Sequence, residues 1–368
     1  MLLDAMGIIL AYNHRVNLGE LMEERALAAV PYGGRYRLID IMLSSMVNSG
    51  IKNIGILAET KYNSLMDHIG TGSYWDLDRL QQGLRIIPPY ISSDFFRSPN
   101  PQDLNGLYDF LKHSIQRYVV VTEGNVVGNL YFTEFIKAHT ESDADMTVMY
   151  NDDGDKYGAP SICLDFKDGI LSDFLVDAKR PPSKHSSLGI VIIQKDLLLD
   201  ILSQEIARGG TQFSVEYLLR KFKDYKIRGF KYEDLVMRIN SLSSYYTCSM
   251  KLLNPDILRK IFKSDRKIYT KVKNEDPARY SKGNSAKNSL ISDGCDIAGE
   301  VDSSIIFRGV GIGRNCKVTN CIIMQDTQVM DGAELNNVII DKDSIIRSGV
   351  RLHGSPDYPV VIGKGVIV

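Results

Sequence analysis

The C-terminal part of the chain repeats every 17 residues, and that period leaves few folds open. Ile306, Ile323 and Ile340 stand 17 apart, as do Ile312, Val329 and Ile346, and Val318, Leu335 and Leu352. Within one cycle the apolar residues are spaced 6, 6 and 5. Three inward-pointing residues per cycle describe a triangular coil with one residue on each face, a left-handed parallel β-helix of the hexapeptide type. Ordinary antiparallel hairpins would not hold three registers at one period. Asn315, Gly332 and Gly349 also recur at 17. These residue types accept positive φ, so they are expected to turn the same corner in successive coils. A less regular earlier coil is expected around Cys295 and Val301.

Upstream the period disappears, and short apolar runs alternate with amphipathic stretches. Gly7–Leu10, Asn53–Leu57, Tyr118–Thr122, Met146–Tyr150 and Ile190–Ile193 read as buried strands. Ile39–Asn48, Asn63–His68, Leu104–Ile115 and Phe132–His139 read as helices. That rhythm predicts an α/β domain with a mostly parallel, Rossmann-like sheet and helices on both faces. Ligands of such sheets lie beyond the carboxyl ends of the strands, here the loops after Leu10 and Thr122. The expected organisation is an α/β domain over 1–250, a linker over 251–288 and the solenoid over 289–368. The linker is rich in charge and chain breakers (Lys260, Lys263, Arg266, Lys267, Lys271, Lys273, Pro277, Gly283) and is expected to drape over the surface.

A length of 368 residues suits two domains, and a net charge of −1 gives no electrostatic case for nucleic acid or a membrane surface. No apolar run reaches the roughly 20 residues that span a bilayer, and no basic region precedes the first apolar stretch, so no signal peptide is expected. The five cysteines form no Cys-x-x-Cys and the six histidines no ligand spacing. Reduced thiols, no structural metal and a cytoplasmic location are the expectation.

The stretch Val30-Pro31-Tyr32-Gly33-Gly34-Arg35-Tyr36-Arg37-Leu38-Ile39-Asp40 resembles the glucose-1-phosphate adenylyltransferase (ADP-glucose pyrophosphorylase) family. So do Asn48-Ser49-Gly50-Ile51, Ile69-Gly70-Thr71-Gly72, Trp75-Asp76-Leu77-Asp78-Arg79, Ser187-Leu188-Gly189-Ile190 and Ser303-Ser304-Ile305-Ile306-Phe307-Arg308-Gly309-Val310. The resemblance runs over the whole chain in order. It implies a nucleotidyltransferase domain joined to a left-handed β-helix, assembly into tetramers, and ADP-glucose and pyrophosphate made from ATP and glucose 1-phosphate.

That reaction needs close backbone approach to phosphates, a divalent metal and fixed cations on developing charge. The family's first loop is glycine-rich, which lets bare N–H groups meet phosphate. Here Tyr12-Asn13-His14-Arg15-Val16-Asn17-Leu18 stand in its place, with the family's arginine matched by Asn17 and the family lysine that precedes its Pro-Ala-Val by Leu27. The two metal-binding aspartates of the family fall on Asn125 and Arg238. No catalytic residue and no metal ligand is therefore expected. Glu123, Asp152, Asp153 and Asp234 are the neighbouring carboxylates from which an atypical metal site would have to be rebuilt. A residual sugar-phosphate pocket is expected around Gly158, Lys179 and Ser187. Arg25 and Arg37 match family positions that line the effector site between the domains, and Arg314 and Lys317 are expected near it. For each of these cations alone, a surface or interface ion pair is the plain alternative.

The resemblance is strongest to the regulatory type of subunit in the bacterial enzyme. The expected function is a regulatory, catalytically weak or inactive subunit in glycogen biosynthesis, with no intrinsic cofactor. Its partner would be a catalytic subunit in a hetero-tetramer, which requires Mg²⁺ itself, or further copies of this chain. Small anionic effectors such as sugar phosphates complete the expectation. The alternatives are an active adenylyltransferase with an atypical metal and phosphate site, and a hexapeptide acyltransferase using His353.

Overall fold

The computed structural model describes residues 4–79, 81–88, 104–152, 162–178, 183–281 and 284–368. Among them, nine strands form one sheet. In chain order these are β1 (Ala5–Leu10), β2 (Ile54–Leu57), β3 (Leu84–Ile87), β4 (Tyr118–Glu123), β5 (Met146–Asn151), β6 (Ile162–Lys167), β7 (Ile170–Val176), β8 (Ser186–Gln194) and β9 (Ile227–Lys231). Their spatial order is β3-β2-β1-β4-β8-β5-β9-β7-β6. The first four are parallel, and so are β5 and β9. Strand β8 is wedged antiparallel between β4 and β5, and the β6–β7 hairpin closes the far edge. The sheet is thus more mixed than its apolar runs suggest, because a strand buried on both faces reads the same in either direction.

Helices cover both faces. On one side α1 (Leu38–Asn48), α2 (Asn63–Ile69) and α4 (Thr133–Thr140) bury Ile39, Met42, Leu65 and Phe135. On the other, α3 (Leu104–Lys112), α5 (Lys195–Ala207) and α6 (Val215–Leu219) bury Leu107, Leu198, Leu202 and Leu218. Among the described residues no helix is long and apolar enough to cross a membrane.

The tail coils into three parallel sheets of five strands each. Ile312 pairs with Val329, Val318 with Leu335 and Ile306 with Ile323, which is the 17-residue register seen in the sequence. Their side chains fill the interior with Ile340, Ile346 and Cys295. Asn315, Gly332 and Gly349 turn one corner at φ of 56°, 74° and 72°. The first coil starts earlier than the period discloses. Arg279–Tyr280 and Ser285–Lys287, inside the expected linker, pair in parallel with Asp296–Ile297 and Glu300–Asp302. A terminal coil has a neighbour on one side only, so its residues are exposed and carry no apolar repeat.

The rest of the linker is fastened rather than draped. It opens as α8 (Pro255–Ile261), capped by the Asn254 side chain and led by proline. Asn129 donates to the carbonyls of Ile261 and Arg266 at 2.9 and 2.8 Å, and Thr270 donates to Asp40 at 2.6 Å. The two domains also share a core. Tyr32, Leu38 and Ile41 join Tyr245 and Tyr246 of α7 (Leu242–Met250) and the outer residues Ile305, Phe307, Ile322 and Ile339 of the solenoid. Tyr246 Oη reaches the Asn320 carbonyl at 2.7 Å and Asn337 Oδ1 at 2.9 Å.

Candidate functional site

The two loops singled out by sheet topology meet at the carboxyl ends of β1 and β4. Glu123 ends β4, and its carboxylate forms an ion pair with Arg238, whose strand Met237–Arg238 pairs with Val126–Val127. Both side chains are nearly sealed, at 8% exposure for Arg238 and 5% for Glu123. Arg238 Nη1 also donates to the Ser187 carbonyl at 3.0 Å. Gly189 at φ 72° makes room for this pair, since a Cβ there would lie 2.7 Å from Glu123 Oε2.

Asn125 is fully buried beside it. Its side-chain amide donates to the Ile239 carbonyl and to Asn240 Oδ1, both at 2.9 Å, while the Asn125 backbone carbonyl accepts from Ile239 N at 3.0 Å. A carboxylate can make neither of the donated bonds. These residues do not fit a divalent cation. Asn125 aims its donors at two acceptors, and the carboxylate nearest Arg238 is consumed by it. The other candidate ligands are also committed: Asp152 pairs with His185 and Lys231 at 2.8 Å each, and Asp234 with Lys263 at 3.2 Å. Among the described residues no group of three or more His, Cys, Asp or Glu is placed to hold a metal. Asp153, Gly158 and Lys179 lie outside the described residues. Ser187 is buried, and its hydroxyl accepts from Gly189 N at 3.2 Å.

The loop after β1 is closed by its own side chains. Tyr12 Oη donates across the domain to the Phe213 carbonyl at 2.9 Å. Arg15 clamps Glu216 of α6 with two bonds, 2.6 and 3.1 Å, and reaches Asp177 at 3.1 Å. Asn13 and Asn17 accept from Arg15 N and Gly19 N at 3.0 and 2.8 Å, so local side chains use the N–H groups a phosphate would need. Asn17 and Leu27 both line a cavity of about 500 Å³ together with His14, Arg25, Glu59 and Lys61. Burial pushes Glu59 up to about 7 and His14 below its ordinary value. Both shifts favour the uncharged forms, so their 3.0 Å contact is weak.

A second cluster forms at the seam between the domains. Arg25 is 4% exposed and places Nη1 2.9 and 2.7 Å from the two oxygens of Asp341, which is 1% exposed on the solenoid. Arg37 donates to the Ser64 carbonyl and hydroxyl at 2.6 and 2.8 Å. Lys342 stands beside both. Burial first, then the charges of Arg37 and Arg25, hold its ammonium down to about 7, against an ordinary lysine value of 10.5. Burial likewise lowers Arg37 to about 10. Arg25 is paired with Asp341, and the carboxylates Asp40 and Asp67 face Arg37. The structure thus brings Arg25 and Arg37 together but not Arg314 and Lys317. Those two are exposed at the solenoid corner next to Asn315, away from the sheet that meets the α/β domain. Sequence reasoning missed Lys342, although its place directly after the buried run Val338–Asp341 was a usable signal. His353 is exposed at the end of a strand in the last full coil.

An α/β sheet of this type continued into a hexapeptide coil is the architecture of the class that joins a nucleotidyltransferase domain to a solenoid. A family profile described as nucleotidyl transferase matches residues 7–208, and one described as GlmU-like C-terminal hexapeptide matches residues 272–356. Within that class the chain belongs to the glucose-1-phosphate adenylyltransferase family. It is similar to the glycogen biosynthesis protein GlgD of Bacillus subtilis (strain 168), with 33% identity covering 98% of this chain and 96% of that protein. GlgD of Geobacillus stearothermophilus is 34% identical with the same coverage. Glucose-1-phosphate adenylyltransferase of Thermotoga sp. (strain RQ2) is 30% identical over 86% of this chain and 76% of that enzyme.

Proposed function

We propose that this chain is a regulatory, catalytically weak or inactive subunit of a glucose-1-phosphate adenylyltransferase, acting in glycogen biosynthesis. The observation that carries the reading is the buried Arg238–Glu123 pair beside an amide-donating Asn125, where the family holds its metal. The likeness to two proteins named for glycogen biosynthesis supports the pathway. Such a chain acts by binding one conformation of a catalytic partner better than another. The partner is a catalytic subunit in a hetero-tetramer, and Mg²⁺ belongs to that partner.

The test is ADP-glucose synthesis with Mg²⁺, for the purified chain alone and mixed with a catalytic family member, with and without fructose 1,6-bisphosphate. The expected result is no measurable synthesis alone and an altered rate or effector response in the mixture. Synthesis by this chain alone at the level of an intact family enzyme overturns the reading.

Arg25, Arg37 and Lys342 are proposed as the seat of an anionic effector, and this reading makes a prediction about pH. The facing groups are Asp341, already paired, Lys273, and His68 with Asp40 at 2.6 Å. Lys342 gains its proton as pH falls through about 7. Sulfate, which keeps its charge over this range, is therefore expected to bind several-fold more tightly at pH 6.5 than at pH 9. The rise should flatten in Lys342→Gln, read by calorimetry. Without ligand the sign reverses for stability. The folded value lies below the unfolded one, so the unfolded chain binds the extra proton between about 7 and 10.5, and stability climbs with pH across that window.

A further inference from the structure

Three segments wall one cleft beyond the carboxyl end of β1: the loop over 12–17, the stretch over 19–27, and the turn over 59–61 that follows β2. It encloses about 500 Å³, the size of a site for a small molecule. Hydrogen bonds hold the second and third walls together. Ala26 N donates to the Lys61 carbonyl at 3.1 Å, and Lys61 Nζ to that of Met22 at 3.0 Å.

Glu59 is 9% exposed, and among the described residues its Oε1 has no hydrogen-bond partner. His14 Nε2 stands 3.0 Å from that oxygen without forming a hydrogen bond, and burial holds both groups toward their uncharged forms. A buried acceptor left unmet is unfavourable, and a ligand's O–H or N–H would relieve it. Donors line the same cleft. Asn13 and Asn17 turn Oδ1 to the N–H groups of Arg15 and Gly19 at 3.0 and 2.8 Å, so each NH₂ group, set opposite that oxygen, is left to a further acceptor. Neither sign of charge prevails. Arg25 is matched by Asp341, and the exposed Lys61 is offset by the exposed Glu23. The Tyr12 and His14 rings, 5.2 Å apart, complete the wall with Val16 and Leu27.

We propose that this cleft binds an uncharged polyhydroxy compound, a free sugar or the end of a sugar chain, with Glu59 accepting from one hydroxyl and Asn13 and Asn17 donating to others. A hydroxyl both donates and accepts, which matches a cleft that offers one unmet acceptor and two amide donors. The rings and aliphatic side chains of the wall suit the C–H faces of a sugar, as apolar linings with a few placed polar groups do in small-molecule sites. The fit involves neither phosphate nor metal, so it stands apart from the regulatory reading, and its failure would leave that reading untouched.

The test is titration of the full chain with D-glucose and with maltotriose, by calorimetry and thermal unfolding. Saturable binding of at least one is expected. Glucose binding as tightly as maltotriose assigns a free sugar, and tighter maltotriose assigns a chain end. Glu59→Ala is expected to weaken binding by about tenfold or more, whereas Glu59→Gln, which keeps an acceptor oxygen, retains most of it. Asn17→Asp keeps the oxygen that accepts from Gly19 N but loses the donor, so it should bind about tenfold more weakly while melting as the parent does. The proposal falls if neither sugar binds, or if Glu59→Ala and Asn17→Asp both bind as the parent does. It also falls if inorganic triphosphate competes with the sugar and binds more tightly, which would make the cleft an anion site. Should Glu59→Ala fold poorly, Asn17→Asp, on an exposed residue, decides the matter alone.

Discussion

Arg238→Ala lowers the unfolding free energy by about 3–5 kcal/mol, because it strands Glu123 as an uncompensated charge in a nearly sealed site. Glu123→Ala costs a similar amount for the converse reason. The double variant Glu123→Leu/Arg238→Met should recover most of the loss, since replacing both members of a buried pair with apolar groups of similar volume is often close to neutral. Denaturant unfolding of the four proteins reads this directly, and additive losses would show that the two side chains are not coupled. The same site predicts the fate of an attempted repair. Asn125→Asp exchanges two donated bonds for a carboxylate facing the Ile239 carbonyl and Asn240 Oδ1, at a cost of about 2–4 kcal/mol. Asn125→Asp/Arg238→Asp is therefore expected to be unstable and still silent, with the Tyr12–Asn17 loop closed over the phosphate path. Strong synthesis from that variant would show that the loop is no obstacle.

The second large effect is expected at the domain seam. Arg25→Ala leaves Asp341, 1% exposed, without its cation and should destabilise the chain by about 3–5 kcal/mol. Asp341→Asn is expected to be milder, since the amide keeps an oxygen for Arg25 and the guanidinium keeps its bond to the Leu21 carbonyl. If Arg25 serves an anionic ligand as well, Asp341→Asn frees it and tightens sulfate binding while lowering stability. A purely structural Arg25 would show the stability loss with no change in sulfate affinity. Thermal unfolding and calorimetry on the same preparations separate the two.

How far the site was legible differs residue by residue. Asn17, Leu27, Asn125 and Arg238 stood out because each replaces a residue type that phosphate or metal chemistry requires. What those residues do instead did not. Glu123 looked in the sequence like a spare metal ligand, and it is the partner that neutralises Arg238 from 115 positions away. Arg15 was one more substituted loop residue until the fold placed Glu216 of α6 against it. Arg314 and Lys317 had the right charge in the right domain, but the triangular coil turns them to another corner.

The sequence by itself determined the solenoid, its register and the outline of the α/β domain. Repeating apolar side chains must point inward wherever they fall, and burial leaves a period that can be counted. It also set the residue types at Asn17, Leu27, Asn125 and Arg238, since chemistry depends on which atoms are present. Tertiary structure alone decided strand direction, the start of the first coil and the pairing of charges. Two ions attract according to their separation and burial in space, and neither quantity is written in their separation along the chain.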